Sequence, residues 1–296
     1  MYPLRVLTII AALGVAMLAC TFTFNNQVQG VTIVSSETSV IEVPAPDSSE
    51  ATKVKLEFGV GELNISPGAD DSIVSGTATY NVEEFEPVVT VSESVVKISQ
   101  QVDDINLVPI FGDELENVWD LKLGSSPMEL DISAGGYQGE FELGGIPLHE
   151  LRVAEGAAKT DVSFSELNPI EMDTLRYDTG ASQATLTGLA NANFRKMDFR
   201  SGAGDYRLDF SGKLQRDADV TIKSGLSSIV IIVPEGTAAT VHFEGGLTNV
   251  DRSGDWRRKS GTARSIKKTN RIYLVKLNRN STRKHSPAGR LYSLIL

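Results

Sequence analysis

The chain has 296 residues, a formal net charge of −10 at pH 7 and one cysteine. From residue 252 to residue 296 there are 13 lysines and arginines against a single aspartate, whereas the rest of the chain holds 15 basic and 37 acidic residues. So acidic a body would be repelled by nucleic acid and by anionic lipid, and we expect no nucleic-acid partner. The lone Cys20 excludes a disulfide framework and a cysteine-based metal site.

The first twenty residues predict an export signal that is separate from the fold. Arg5 precedes an apolar run over residues 6–19, which is too short for a comfortable transmembrane helix and ends at Cys20. Ala19 directly before the cysteine resembles a bacterial lipoprotein signal, which implies that Cys20 is lipidated and becomes the mature N-terminus. The alternative is an ordinary signal or an uncleaved short anchor. We therefore expect an extracytoplasmic protein, anchored through lipid to the outer face of the bacterial membrane.

The next part of the chain divides into a tether, a strand block and a junction. Residues 21–51 are rich in Ser, Thr, Asn and Gln and predict a flexible tether. Residues 52–101 predict an N-terminal block of strands, because Val54, Leu56 and Phe58 alternate with polar residues. Residues 102–120 form an acidic junction whose carboxylates could bind Ca²⁺. Its spacing lacks the order of an EF-hand, so we favour a solvated acidic loop with no metal.

A repeat with a period of 21–24 residues dominates residues 121–256. Each unit opens on an apolar residue and carries a glycine five residues later. A fixed period of this length is typical of a solenoid, in which each unit stacks on its neighbours. The openers are Leu130, Leu151, Leu175, Phe199, Val220 and Val241. The glycines are Gly135, Gly156, Gly180, Gly204, Gly225 and Gly246, with Gly59 at the same offset from Val54.

The pattern within one unit predicts two short strands joined at a corner. Leu175 and Tyr177 lie on one face of a strand, and Arg176 lies on the other. The glycine supplies the corner, since a positive φ or a closely stacked backbone is tolerated best without a Cβ. We therefore predict an all-β, β-solenoid-like body of stacked coils. An immunoglobulin-like sandwich is the alternative, but it would impose no fixed glycine offset.

Three segments carry a family resemblance. They are similar to the toast-rack family and comprise residues 56–65, the string Gly-Leu-Ala-Asn-Ala-Asn-Phe at 188–194 and the string Leu-Asp-Phe-Ser-Gly at 208–212. That family is related to the putative-adhesin β-solenoids and to the cell-wall-active antibiotic response proteins. The resemblance covers about residues 52–256 and implies an extracytoplasmic stacked β fold. It supplies no established catalytic residues.

The chain contains few residues suited to catalysis. His149, His242 and His285 are scattered, and His242 is predicted to face solvent between two inward positions. No nucleophile elbow, P-loop, dinucleotide fingerprint or zinc-protease motif is present. We therefore expect no enzyme, no catalytic residues and no cofactor. The carboxylates that could form an outward ladder for glycoside cleavage are Asp161, Asp178, Asp205, Asp209 and Asp219.

The function that we predict is a surface scaffold or adhesion module. Its expected partners are membrane lipid through the acylated N-terminus, an envelope polysaccharide, another surface protein or a second copy. One alternative is a sensor or regulator of envelope stress, which the antibiotic-response relatives suggest. A carbohydrate-active enzyme on a β-solenoid is the weaker alternative.

The basic tail at 257–296 interrupts the repeat and holds two apolar runs, at 272–277 and 291–296. We predict that both runs pair with the body or with each other, and that residues 278–287 form a mobile charged loop. The tail could then close the end of the solenoid and cover its edge. A basic arm for anionic lipid and an altered reading frame are the alternatives.

Overall fold

The structure is a computed structural model that describes residues 33–46, 50–100, 115–235, 237–244, 251–253, 271–278 and 291–295. All of the strands within these ranges belong to one sheet, and a single 3-10 turn at Glu83–Phe85 interrupts them. The first strands are β1 (Ile33–Pro44), β2 (Thr52–Pro67), β3 (Ser72–Val82), β4 (Pro87–Ser92), β5 (Val95–Gln100), β6 (Asn117–Leu123), β7 (Met128–Glu142) and β8 (Leu148–Ser163). The remaining strands are β9 (Met172–Thr187), β10 (Phe194–Asp209), β11 (Ala218–Pro234), β12 (Ala238–Glu244), β13 (Asp251–Ser253), β14 (Arg271–Asn278) and β15 (Leu291–Ile295).

The centre of the sheet is a stack of long parallel strands in the order β2-β7-β8-β9-β10-β11. Each is one coil of the predicted solenoid, and equivalent positions of successive coils are hydrogen-bonded neighbours. Leu130 of β7, for example, is in register with Leu151 of β8, which is in register with Leu175 of β9. The all-β, β-solenoid-like fold is confirmed.

Each long strand consists of two halves that bury side chains in opposite phase. In β9, Leu175 and Tyr177 are buried before the glycine, whereas Ala184 and Leu186 are buried after it. The change of phase falls at Gly180, where two successive positions are exposed. Because both halves contribute to one hydrophobic core, the strand must turn around that core at the glycine.

The glycines at this turn form a continuous stack across six strands. A Cβ built on Gly180 would lie 2.5 Å from the carbonyl oxygen of Gly156, and one built on Gly202 would lie 2.5 Å from that of Gly180. None of the stacked glycines has a positive φ between +20° and +160°. Close backbone stacking therefore explains the preference for glycine here. The members are Gly59, Gly135, Gly156, Gly180, Gly202 and Gly225.

The predicted register was wrong by two residues in one coil. Met197, and not Phe199, is the neighbour of Leu175 and Val220. The stacked glycine of this coil is accordingly Gly202, while Gly204, two residues later, has a φ of +146°. Both choices put an apolar residue five positions before a glycine, so the sequence pattern fits either register.

The sixth predicted unit does not continue the stack. β12, which contains Val241, pairs antiparallel with β14 and makes no ladder with β11. β14 pairs antiparallel with the first half of β11 and β15 with its second half. Both apolar runs of the basic tail therefore form strands that close the C-terminal end of the stack. The glycine predicted at 246 and residues 279–287 of the charged loop predicted at 278–287 lie outside the described residues, whereas Asn278 is the last residue of β14.

The N-terminal end of the stack is also covered by two short strands, which here pair parallel with the outermost long strand. The free edge of β2 is covered by β5 along its first half and by β6 along its second half. β6 continues antiparallel into β3 and then β1. Residues 33–44 are therefore a strand, although the sequence analysis placed them in a flexible tether. Ile41 and Val43 of this strand are buried, whereas Ile33 and Val40 are exposed.

Candidate binding surface

The second halves of β7 to β11 present an outward face of polar side chains, which we call the ladder face. Its first column runs through register-matched positions on five adjacent strands, and most of these positions are exposed. Neighbouring strands of a sheet lie about 4.8 Å apart, so the face repeats at that interval along the stack. The ladder face comprises Gln138, Lys159, Gln183, Asp205 and Ser228 in one column and Glu140, Asp161, Thr185 and Arg207 in the next.

The first halves of β2 and β7 to β11 carry a different outward face, which we call the charge-paired face because opposite charges pair on it. The Arg176 Nε donates to a carboxylate oxygen of Asp178 at 2.6 Å, and the Arg200 Nε lies 3.8 Å from the other oxygen. Lys53 and Glu129 pair in the same way at 3.5 Å. Ion pairs therefore neutralise part of the charge on this face.

A shallow groove opens at the N-terminal end of the ladder face, where β6, β2, β7 and β8 meet. The Asn64 side-chain amide donates to an Asp120 carboxylate oxygen at 2.9 Å on its floor. Glu140 and Asp161 stand in register on adjacent strands and are both exposed. The groove is lined by Asn64, Ser66, Asp120, Lys122, Glu140, Glu142, Asp161 and Ser163, with Ile65, Leu121 and Phe141 among them.

Glu142 in this groove has a structural role. Partial burial works to raise its pKa, but hydrogen bonds outweigh burial and hold the pKa below its usual value. The Ser163 hydroxyl donates to one carboxylate oxygen at 2.6 Å, and the backbone N–H groups of Gly144 and Ser165 donate to the other at 2.6 and 3.1 Å. A carboxylate that already accepts three hydrogen bonds stays ionised and fixes the loop after β7.

A polar cluster lies inside the stack beside the glycines. Glu155 is buried, and one of its carboxylate oxygens accepts hydrogen bonds from the hydroxyls of Tyr137 at 2.8 Å and Thr160 at 2.9 Å. Its other oxygen and the hydroxyl of Tyr177 make no hydrogen bond of ordinary geometry, although Thr160 and Glu155 lie close enough to that hydroxyl to influence its pKa. Burial first, and then the charge of Glu155, raise the pKa of both tyrosines. The cluster is closed to solvent, so we assign it to the stability of the fold.

The carboxylates that the sequence analysis singled out are divided between several sites. Asp161 and Asp205 belong to the ladder face, and Asp178 belongs to the charge-paired face. Asp209 is buried and accepts a hydrogen bond from the Ser211 N–H at 2.9 Å. Asp219 is exposed on the outward side of β11. The in-register pair of Glu140 and Asp161 was missed, although the two residues occupy equivalent positions of successive repeats.

Several of the other residues singled out in the sequence lie outside the described part of the chain. His149 is exposed on β8, whereas the side chain of His242 and the whole of His285 lie outside the described residues. Cys20 and most of the acidic junction, residues 102–114, also lie outside them. In the ranges that are described, no three His, Cys, Asp or Glu side chains are grouped so that they could hold a metal ion. The same ranges contain no helix that is long and apolar enough to cross a membrane.

The buried Glu155 also went unnoticed in the sequence. It stands two residues after Val153 and four after Leu151, and both of these are inward positions of a period-2 pattern. That phase alone places Glu155 inside, so a carboxylate there is the signal that could have identified the cluster.

Comparison with known proteins identifies the architecture. The sequence model described as the N-terminal domain of toast_rack, DUF2154, matches residues 30–174 and 167–232. A solved structure described as a "putative cell adhesion protein" from Clostridium sporogenes is 22% identical, with a TM-score of 0.51 over 66% of this chain and 98% of that chain. This similarity is one of fold.

Two further solved structures are more distant. A "putative adhesin" from Parabacteroides distasonis is 14% identical over 59% of this chain and 74% of that one, with a TM-score of 0.34. One from Parabacteroides merdae is 12% identical over 58% and 71%, with a TM-score of 0.32. No curated protein matches the chain. The family match spans more than half of the sequence, and the chain therefore belongs to the toast-rack family.

Proposed function

We propose that this protein is a non-catalytic binding module, displayed on the outer side of the bacterial membrane through a lipid on Cys20. The observation that carries the proposal is the ladder face, which presents exposed polar side chains on five parallel strands. A surface with a regular interval of about 4.8 Å suits an extended ligand, because successive groups of the ligand can meet polar side chains at equivalent positions. An envelope polysaccharide or an extended surface protein has this form.

The geometry of the groove favours binding over glycoside cleavage. Cleavage needs one carboxyl group that stays protonated at neutral pH, and enzymes keep it protonated by burial. Glu140 and Asp161 are both exposed, and Glu142 is held ionised by its three hydrogen bonds. The carboxylates here therefore suit hydrogen bonding to sugar hydroxyls or pairing with basic side chains.

The experiment is a binding screen with the lipid-free protein against an envelope glycan array and solubilised envelope proteins. A variant with Gln138→Arg and Gln183→Arg alters the ladder face, and we expect it to lose the captured ligand. The matched control, Ser133→Arg with Thr174→Arg, adds the same charge to the charge-paired face and should retain binding. If the control loses binding equally, or if neither the glycan array nor the solubilised envelope proteins bind the protein, the ladder face is not the binding site. Capture of a membrane kinase alone would favour the regulatory alternative.

A further inference from the structure

We propose that the free edge of β4 is a second interaction surface, which binds an extended strand of another protein whose apolar residues are flanked by lysine or arginine. This surface lies on the hairpin of β4 and β5 at the N-terminal end of the stack, on a different part of the molecule from the ladder face. Binding at this surface does not depend on binding at the ladder face.

The first observation is that β4 is an edge strand. Within the described residues β4 pairs with β5 alone, over Pro87–Ser92. β5 in turn pairs with β2, so the hairpin extends the first coil of the stack sideways. An edge strand leaves a row of backbone N–H and C=O groups that can pair with an additional strand.

The second observation is that β4 is both apolar and exposed. Val88, Val89 and Val91 are 37%, 40% and 59% exposed, and no residue of the strand is buried. Successive residues of a strand point to opposite faces, so both faces of β4 offer β-branched side chains. Native edges are commonly protected by charged residues or by proline within the strand. β4 has no charged residue, and its one proline, Pro87, stands at the first position, before the exposed valines. It therefore keeps the features that favour strand addition.

The third observation is a rim of carboxylates at both ends of the strand. Glu83, Glu84 and Glu86 precede β4, Glu93 follows it, and all four are exposed. The basic side chain of the adjoining strand, Lys97, is already paired with Glu57 at 2.8 Å. The edge is therefore an apolar strip with three carboxylates at one end and one at the other.

This charge distribution selects the occupant. A second copy bound through its own β4 would bring two such rims together, and like charges disfavour that arrangement. Residues 101–114 of this chain contain four acidic residues and no basic ones, so they fit the rim no better. A strand of another protein with Lys or Arg on either side of its apolar residues can pack those residues against the valines of β4. Its basic side chains can then pair with the carboxylates of the rim. Strand addition would supply main-chain hydrogen bonds, and the rim would supply selectivity.

The test uses the full chain in detergent and a labelled synthetic peptide, Lys-Lys-Val-Thr-Val-Thr-Val-Lys-Lys, measured by fluorescence anisotropy. We expect this peptide to bind at least tenfold more tightly than Glu-Glu-Val-Thr-Val-Thr-Val-Glu-Glu. A version of the basic peptide with N-methyl groups on alternate residues should lose binding, because it cannot form the strand ladder. Equal binding by the acidic or the N-methylated peptide would overturn the proposal.

Protein variants locate the site. Val89→Ser with Val91→Ser removes apolar contacts, and Glu84→Gln with Glu86→Gln removes rim charge. Each pair should weaken the basic peptide at least fivefold. The control Val40→Ser alters a valine that is 76% exposed on β1, and it should leave binding unchanged. Unchanged binding by both double variants would refute the site. Dimerisation of the wild-type chain that Val89→Ser with Val91→Ser abolishes would overturn the proposed occupant in favour of a second copy.

Discussion

The stacked glycines allow a graded test of the coil register. Three glycines differ in the space that a methyl group would find. A Cβ on Gly180 would lie 2.5 Å from the Gly156 carbonyl oxygen, and one on Gly156 would lie 2.9 Å from that of Gly135. A Cβ on Gly136 would have its nearest neighbour at 3.9 Å. None of the three has a left-handed φ, so the series changes steric contact alone.

The expected magnitudes follow from these distances. A carbon normally approaches a carbonyl oxygen to about 3.3–3.6 Å, so the Gly180 contact is short by roughly 1 Å and the Gly156 contact by roughly 0.5 Å. Overpacking costs about 1–3 kcal/mol, while Gly→Ala returns about 0.4–1 kcal/mol by restricting the unfolded chain. We therefore expect Gly180→Ala to lower the free energy of unfolding by roughly 1–2 kcal/mol. Gly156→Ala should lower it by roughly 0–1 kcal/mol, and Gly136→Ala should raise it slightly.

The measurement is urea unfolding followed by far-UV circular dichroism on all three variants and the parent protein. The order of midpoints should be Gly136→Ala highest, then Gly156→Ala, then Gly180→Ala. If Gly136→Ala is as destabilising as Gly180→Ala, the glycines are not distinguished by stacking. The register of the coils would then be incorrect.

Three further predictions concern the buried cluster and the anchor. Tyr137→Phe should lower the free energy of unfolding by roughly 1 kcal/mol because it removes a hydrogen bond to Glu155. Tyr177→Phe should lower it less or leave it unchanged, because the hydroxyl that it removes makes no hydrogen bond of ordinary geometry; equal losses in chemical unfolding would contradict this. The raised pKa values of these two tyrosines mean that above about pH 10 the unfolded chain loses protons that the folded chain keeps. The free energy of unfolding should therefore be insensitive to these groups below pH 10 and should fall above it by up to about 1.4 kcal/mol per pH unit for each tyrosine. If the free energy of unfolding of Tyr177→Phe falls with pH as steeply as that of the parent, Tyr177 does not contribute. Cys20→Ser should abolish fatty-acid labelling and release the protein from the detergent phase, and retention there without label would exclude lipid anchoring.

The sequence predicted the coil but was ambiguous about its register. The alternation of Leu175, Arg176 and Tyr177 around Gly180 gave the inward and outward faces correctly, because strand periodicity is a local property. In the next coil, Met197 and Phe199 are both apolar and Gly202 and Gly204 are both glycine. Only the backbone ladder between strands distinguishes the two choices.

The two ends of the stack were harder to predict, since they depend on contacts between residues distant in sequence. β1 is mostly polar, and it is ordered by pairing with β3 about forty residues away, for example Val40 with Thr77. At the other end, β12 resembles a further coil in its sequence. β14 lies between it and β11 and reverses the direction of pairing. No local pattern reveals that insertion.

The candidate surfaces were predictable to different degrees. The division of each strand into inward and outward side chains follows from periodicity, so the ladder face could be predicted from the sequence. The groove was not, because it depends on β6 pairing with β2, which brings Asp120 beside Asn64. β4 lies within the strand block predicted at 52–101, but its exposure depends on which strands pair beside it.

The most direct test of the central claim is cysteine labelling on intact cells with a maleimide that does not cross membranes. In a Cys20-acylated parent, Gln183→Cys places a thiol on the ladder face, and Ala184→Cys places one at a position that is 2% exposed. We predict that Gln183→Cys is labelled on intact cells and that Ala184→Cys is labelled only after denaturation. Labelling of Gln183→Cys only after lysis would contradict display outside the membrane, and labelling of Ala184→Cys in the native protein would contradict the fold.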